Sequence, residues 1–133
     1  MRGSCLCQSI EYEATQLDSP IAHCSCNTCR KAHAAAFNSG AAVKHEHFQW
    51  LKGENLLKSY ESSPDKKRFF CSNCGTHLVA QKEGRKYLVL RVATLDEDPA
   101  VTPQFQIWAS HEAPWLRYGS SVVAYPEWEP GHQ

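Results

Sequence analysis

The sequence has no long apolar run, no excess of either charge and no even number of cysteines, and each lack removes a class of protein. Its longest apolar runs fall far short of the ~20 residues a membrane helix needs, so no membrane partner is expected. Lys and Arg number 14 and so do Asp and Glu, giving a sequence pI near 7.0. A balanced chain has no long-range field to draw it to nucleic acid, and no nucleic-acid partner is expected. Neither end supplies the basic tail of a chromatin-type interaction module. The opening Met1-Arg2-Gly3-Ser4-Cys5-Leu6-Cys7 has no apolar core of a secretory signal, which points to the cytoplasm. Seven cysteines cannot all pair, and a reducing compartment disfavours disulfides in any case. Metal binding or thiol chemistry is the reading left. With 133 residues and 42% apolar side chains, one domain over residues 1–133 with a modest core is expected.

Strand-period alternation recurs in short pieces: Ile10–Ala14, Phe48–Leu51, Leu57–Tyr60, Arg68–Cys71, His77–Ala80 and Tyr87–Val92. Turn signals such as Ser63-Pro64-Asp65, Glu83-Gly84-Arg85 and Asp98-Pro99 separate them. The pattern predicts a mainly β domain of short antiparallel strands. One short helix is expected from Asn27 to about Ala36, capped by Asn27 or Thr28. The segment Tyr125–Gly131 reads as a proline-punctuated surface strap.

The cysteines form three groups, Cys5/Cys7, Cys24/Cys26/Cys29 and Cys71/Cys74. Cys71-Ser72-Asn73-Cys74-Gly75 has the two-residue gap of a zinc knuckle, with a glycine to permit the tight turn. Cys5-x-Cys7 complements it, since residues i and i+2 of an extended chain face one way. Four thiolates complete a tetrahedral zinc site, and closing so long a loop helps a small core most. Four buried free cysteines are the plainer alternative, which the paired spacing disfavours.

Cys24, Cys26 and Cys29 make a claw with no eighth cysteine to close it. Three protein ligands and one exchangeable position characterise catalytic zinc. Spacing alone leaves open a histidine as fourth ligand (His23, His45, His47, His77 or His111) and a metal-free redox role. Three thiolates and Zn²⁺ sum to −1, which makes a weak Lewis acid suited to holding a substrate thiolate rather than making hydroxide. Arg30 and Lys31 follow the last cysteine and could offset that charge, or form an ordinary solvated helix face. The expected partner is a small acidic thiol.

Gly3-Ser4-Cys5-Leu6-Cys7, Cys24-Ser25-Cys26-Asn27-Thr28-Cys29-Arg30-Lys31 and Phe69-Phe70-Cys71-Ser72-Asn73-Cys74-Gly75-Thr76-His77-Leu78 occur in one order, with Ala113-Pro114-Trp115 beyond. Together they resemble the glutathione-dependent formaldehyde-activating enzymes, the family that includes the centromere-protein-V domain. The resemblance implies a β-tent fold and two Zn²⁺ per chain: a structural one on Cys5, Cys7, Cys71 and Cys74, and a catalytic one on Cys24, Cys26 and Cys29. It also implies glutathione and a small aldehyde as partners, with S-(hydroxymethyl)glutathione as product. Gln8 stands where the family usually has glycine; Gln106 and Glu112 stand where members often have histidine and lysine. The function so indicated is a zinc-dependent carbon–sulfur lyase or synthase acting on a glutathione adduct. The alternative is a thiol-binding carrier without catalysis. His23 and His33, close to the claw in sequence, are weak candidates for acid–base work.

Overall fold

Two sheets, one of three strands and one of seven, carry the chain in a computed structural model that describes residues 1–116 and 122–132. The smaller sheet is antiparallel, with β1 (Arg2–Ser4), β2 (Glu11–Ala14) and β5 (Phe48–Lys52) side by side in that order. The larger sheet is built from β3 (Ala22–Cys24), β4 (Asn38–Lys44), β6 (Leu57–Ser63), β7 (Lys66–Cys71), β8 (His77–Lys82), β9 (Tyr87–Arg91) and β10 (Phe105–Ile107). Its spatial order is β10-β3-β4-β9-β8-β7-β6, antiparallel throughout except that β10 lies parallel to β3.

The predicted strands are all present. Tyr87–Arg91 keeps Leu88 and Leu90 fully inside, and Leu78 and Val79 of β8 join them with Ile10, Tyr12 and Val43 in the core. Cys5 and Cys71 belong to the same cluster, so one end of the core is finished with sulfur. Gly3 is required by its neighbour: a Cβ there would run into the Tyr12 ring, whose hydroxyl is tied to Thr94 Oγ1 at 2.7 Å.

The mainly β fold with one short helix is as expected, but the helix differs at both ends. It is α1 (Asn27–His33), and its cap is Cys26, whose Sγ accepts the Cys29 N–H at 3.3 Å. The thiol does the work usually done by a hydroxyl or carboxamide. Ala34 ends the helix in the left-handed conformation, φ 50°, so the alanine run beyond does not extend it. Residues 122–132 are exposed and lie outside any helix or strand. Among the described residues no helix is long and apolar enough to cross a membrane.

Candidate metal centres

Cys5 and Cys7 sit in the turn after β1 rather than on an extended strand, so their sulfurs converge because the chain curls, not because i and i+2 share a face. The curl is made by Gln8, which donates its N–H to Cys5 O at 2.9 Å and has φ 62°. That left-handed backbone explains why glycine is usual at this position in the family it resembles. Opposite, Cys71 ends β7, and Gly75 at φ 80° donates to Cys71 O at 2.8 Å, folding Cys74 back. All four sulfurs lie within 4.8 Å of one another. Cys5–Cys7 and Cys7–Cys71 are 3.6 and 3.9 Å apart. A tetrahedron with Zn–S near 2.3 Å has edges of about 3.8 Å, so the donor set has the size of a thiolate-bound ion.

Donors aimed at the sulfurs favour thiolates. Ile10 N–H approaches Cys5 Sγ at 3.3 Å, Asn73 Nδ2 approaches Cys7 Sγ at 3.2 Å, and Thr76 Oγ1 lies 3.3 Å from Cys74 Sγ. The Ser9 and Asn73 side chains bring Cys7 down to about 7, and Thr76 with the Cys7 N–H brings Cys74 to about 5 against the opposing effect of burial. Burial pushes Cys5 up to about 11 in the metal-free cluster.

The second group is built at the junction of β3 and α1. Cys24 is the last residue of β3, Cys26 caps the helix and Cys29 occupies its first turn, so strand end, cap and turn bring three sulfurs within 4.8 Å of one another. Burial pushes Cys24 up to about 12; Cys26, also partly buried, is nevertheless lowered, first by the Cys29 N–H and also by Arg68. These three cysteines could hold a metal ion, and among the described residues no histidine joins them. Four of the five histidine candidates are engaged or placed elsewhere. His23 Nδ1 meets Ser39 Oγ at 2.8 Å, His45 Nε2 meets Arg85 O at 3.2 Å, His47 pairs with Asp18, and His77 packs on His33. His111 lines a cavity together with Cys26, and its Nδ1 lies 2.9 Å from Ser110 Oγ.

The cations around the claw were not legible as such in the sequence. Arg68 of β7 is buried and directs Nη1 and Nη2 at Cys29 Sγ, 3.9 and 3.8 Å away, with Nε bonded to Ser62 Oγ at 2.9 Å. Arg91 of β9 is buried as well, and its pKa falls to about 10 through burial and Arg68, while the cysteines pull it back up. Lys66 is lowered by burial, Arg68 and Arg91. The expected Arg30 and Lys31 do not take this part: Lys31 is exposed and Arg30 does not reach the cysteine-lined cavities. An arginine closing the apolar run Tyr87-Leu88-Val89-Leu90-Arg91 was the available signal. His33 is neutral at ordinary pH, its ring held to about 3 by burial and then by Arg91. His77 is lowered for the same reasons.

Two cavities open on the claw. One of about 520 Å³ is lined by Cys24, Cys29, Asn38, Lys66 and Arg91. The other, about 350 Å³, is lined by Cys26, Lys66, Arg68, Trp108 and His111. Between the cavity-lining Phe105 and Ile107, Gln106 Nε2 donates to Ser25 Oγ at 2.7 Å and to Glu112 Oε2 at 3.0 Å.

Comparison with known proteins bears on this arrangement. The family model described as glutathione-dependent formaldehyde-activating enzyme matches residues 1–111. A Schizosaccharomyces pombe protein named "Uncharacterized lyase" is 34% identical over 76 residues, 57% of this chain and 53% of its own. A Podospora anserina protein named "Putative glutathione-dependent formaldehyde-activating enzyme" is 32% identical over 82 residues, 59% of this chain and 38% of its own. The chain thus spans about half or less of the length of these curated relatives. A crystal structure of a Rhodobacter sphaeroides protein matches with TM-score 0.64 over 80% of this chain and 98% of that one, at 23% identity, a likeness of fold.

Proposed function

The chain belongs to the glutathione-dependent formaldehyde-activating enzyme family, and on that footing we propose that it is a zinc-dependent carbon–sulfur lyase or synthase acting on a glutathione adduct. The observation that carries the reading is the three-sulfur claw, which lacks a fourth protein ligand among the described residues and opens on two cavities. Cys24, Cys26 and Cys29 would hold the catalytic zinc, and Cys5, Cys7, Cys71 and Cys74 a structural one. Zinc bound at the claw supplies a soft Lewis acid that favours a thiolate over a thiol at its fourth position.

The chain's own residues then set what the site does. Arg68 donates to Cys29 and tempers the negative charge of the thiolates. The cavity walls hold thiol and aldehyde together, which turns a bimolecular addition into a near-unimolecular one. In the forward direction the sulfur bonds to the carbonyl carbon, and the thiol proton ends on the carbonyl oxygen. Lys66, whose pKa is lowered and whose side chain lines both cavities, is the group best placed to carry that proton at Nζ. His23 and His33 suit the task less: His23 is bonded to Ser39 and His33 is held neutral in a half-buried site.

The test is formation of S-(hydroxymethyl)glutathione followed by exchange NMR against the uncatalysed background, with zinc counted per chain. We expect two zincs, a saturable rate enhancement, its loss in Cys26→Ala and its retention in the surface variant Lys58→Ala. No enhancement despite glutathione binding would replace this reading with that of a thiol carrier.

A further inference from the structure

The larger cavity is a trough laid across four neighbouring strands. Alternate residues of β3, β4 and β9 face it: Cys24 on β3, Asn38, Gly40 and Ala42 on β4, and Val89 and Arg91 on β9. Its floor is low because the middle residues are small. A Cβ at Gly40 would stand 2.9 Å from Val89 Cγ1 and 3.6 Å from Arg91 Nη1, so glycine keeps the trough open where it passes Arg91. The cysteines close one end, and β4 lines the trough from Asn38 to Lys44, about 20 Å of extended chain. That is room for an elongated ligand rather than for a thiol alone.

Arg91 is the anomaly in this trough. It is only 5% exposed, yet Nε and Nη2 are buried with no hydrogen-bond partner. The cysteines lend it negative charge at a distance, but a buried guanidinium with two N–H-bearing nitrogens lacking an acceptor is costly to keep. The two free nitrogens are also the pair that forms the side-on fork, the geometry that matches a carboxylate. Around the claw, Arg68, Arg91 and Lys66 bring three cations, while three thiolates with a divalent zinc sum to −1. A substrate thiolate offsets one further positive charge and leaves one still unmet.

We propose that Arg91 is a carboxylate subsite: it takes a carboxylate of an extended acidic thiol through Nε and Nη2 while the sulfur lies at Cys24 and Cys29. This rests on reading the claw as a thiol site, and it adds the residue that selects acidic thiols over small neutral ones. Arg91 binds and orients here; it transfers no proton.

The test uses the metal-loaded full chain, wild type, Arg91→Met and Arg91→Lys. Binding of glutathione, glutathione diethyl ester, S-methylglutathione and 2-mercaptoethanol is titrated by calorimetry and, after cobalt substitution, by the thiolate charge-transfer band. A lost charge-assisted fork predicts glutathione binding about 10- to 100-fold weaker in Arg91→Met. The diester binds the wild type correspondingly weakly and is indifferent to the substitution, 2-mercaptoethanol binds all three proteins alike, and Arg91→Lys recovers part of the loss. Because methionine replaces a buried guanidinium with two unmet nitrogens, the melting temperature of Arg91→Met holds or rises, which separates binding from a fold defect. Unchanged glutathione binding in Arg91→Met, or an equal loss for the diester, overturns the subsite. If 2-mercaptoethanol leaves the cobalt spectrum untouched while S-methylglutathione and glutathione bind alike and need Arg91, the thiol reading fails and the subsite stands. No binding by any of the four overturns both.

Discussion

Replacing Arg68 by methionine should weaken metal at the three-cysteine site about tenfold and leave the four-cysteine site alone. The side chain is 3% exposed, so solvent does little to screen it, and its Nη2 lies 3.8 Å from Cys29 Sγ. Two unit charges at that separation attract by about 4 kcal/mol at an effective dielectric of 20. In a complex of net charge −1 each of three sulfurs carries on average about a third of that charge, which leaves about 1.5 kcal/mol, or about tenfold in affinity. That sits at the low end of the 10–100-fold usual for losing an outer partner of a metal ligand. Sharing the net charge in this way already counts the repulsion between the guanidinium and the metal, and the remainder is attractive because the centre as a whole is negative. Methionine keeps the bulk and forfeits the bond to Ser62 Oγ as well. The assay is stepwise zinc transfer to a chromophoric chelator, which resolves two sites of different affinity, with melting curves as a control on the fold. Unchanged affinity at the weaker site, or an equal loss at both, would show that Arg68 packs there without acting on the thiolates.

Removing metal from the four-cysteine site with a strong chelator should abolish cooperative melting, because Cys5 and Cys71 are core residues and structural zinc contributes about 10 kcal/mol, comparable to a whole domain's stability; Cys26→Ser should still melt cooperatively. The Lys44 N–H, His47 and Gln16 hold the Asp18 carboxyl at about 2. A folded-state pKa below the unfolded value of about 4 stabilises above that value and is lost as pH falls toward 2, so wild type should lose melting temperature between pH 4 and 2 more steeply than Asp18→Asn. Ala34 closes the helix at φ 50°, a conformation glycine adopts without strain, so Ala34→Gly should stabilise by about 0.5–1 kcal/mol in urea titrations.

Much of this was legible beforehand because the cysteine spacing is a geometric statement. C-x-x-C with a following glycine dictates a turn, and the structure closes it at Gly75 with φ 80°. The six alternating segments also became strands. β4 was missed, since Asn38-Ser39-Gly40-Ala41-Ala42-Val43-Lys44 carries small residues whose pattern declares neither face; those same small residues hollow the trough. Cys26 was read as a ligand but not as a helix cap, because sulfur is a rare cap and Asn27 stood next to it. Arg68 and Arg91 were missed because their role is non-local. Each is remote in sequence from Cys24–Cys29, and only the order β3-β4-β9-β8-β7 brings them to it.

The departures at Gln106 and Glu112 are best understood as one change. Lysine beside histidine at these places would set a cation near Ser25; here Glu112 sets a carboxylate there, and Gln106 uses one amide nitrogen to serve both Glu112 and the buried Ser25 hydroxyl. Glu112 offers no attraction to an acidic ligand, and the cations that line the trough are Lys66 and Arg91. The two positions should therefore be coupled. A neutral imidazole at 106 has one N–H and cannot satisfy Ser25 and Glu112 together, whereas lysine at 112 removes one of the two demands. Gln106→His alone should destabilise, and adding Glu112→Lys should recover about 0.5 kcal/mol, the scale of an exposed polar pair. The double variant should also bind glutathione more tightly, with the gain shrinking as salt rises. Strict additivity of the two substitutions in urea unfolding, together with a salt-independent affinity, would show that the two positions are uncoupled and do not act on the ligand.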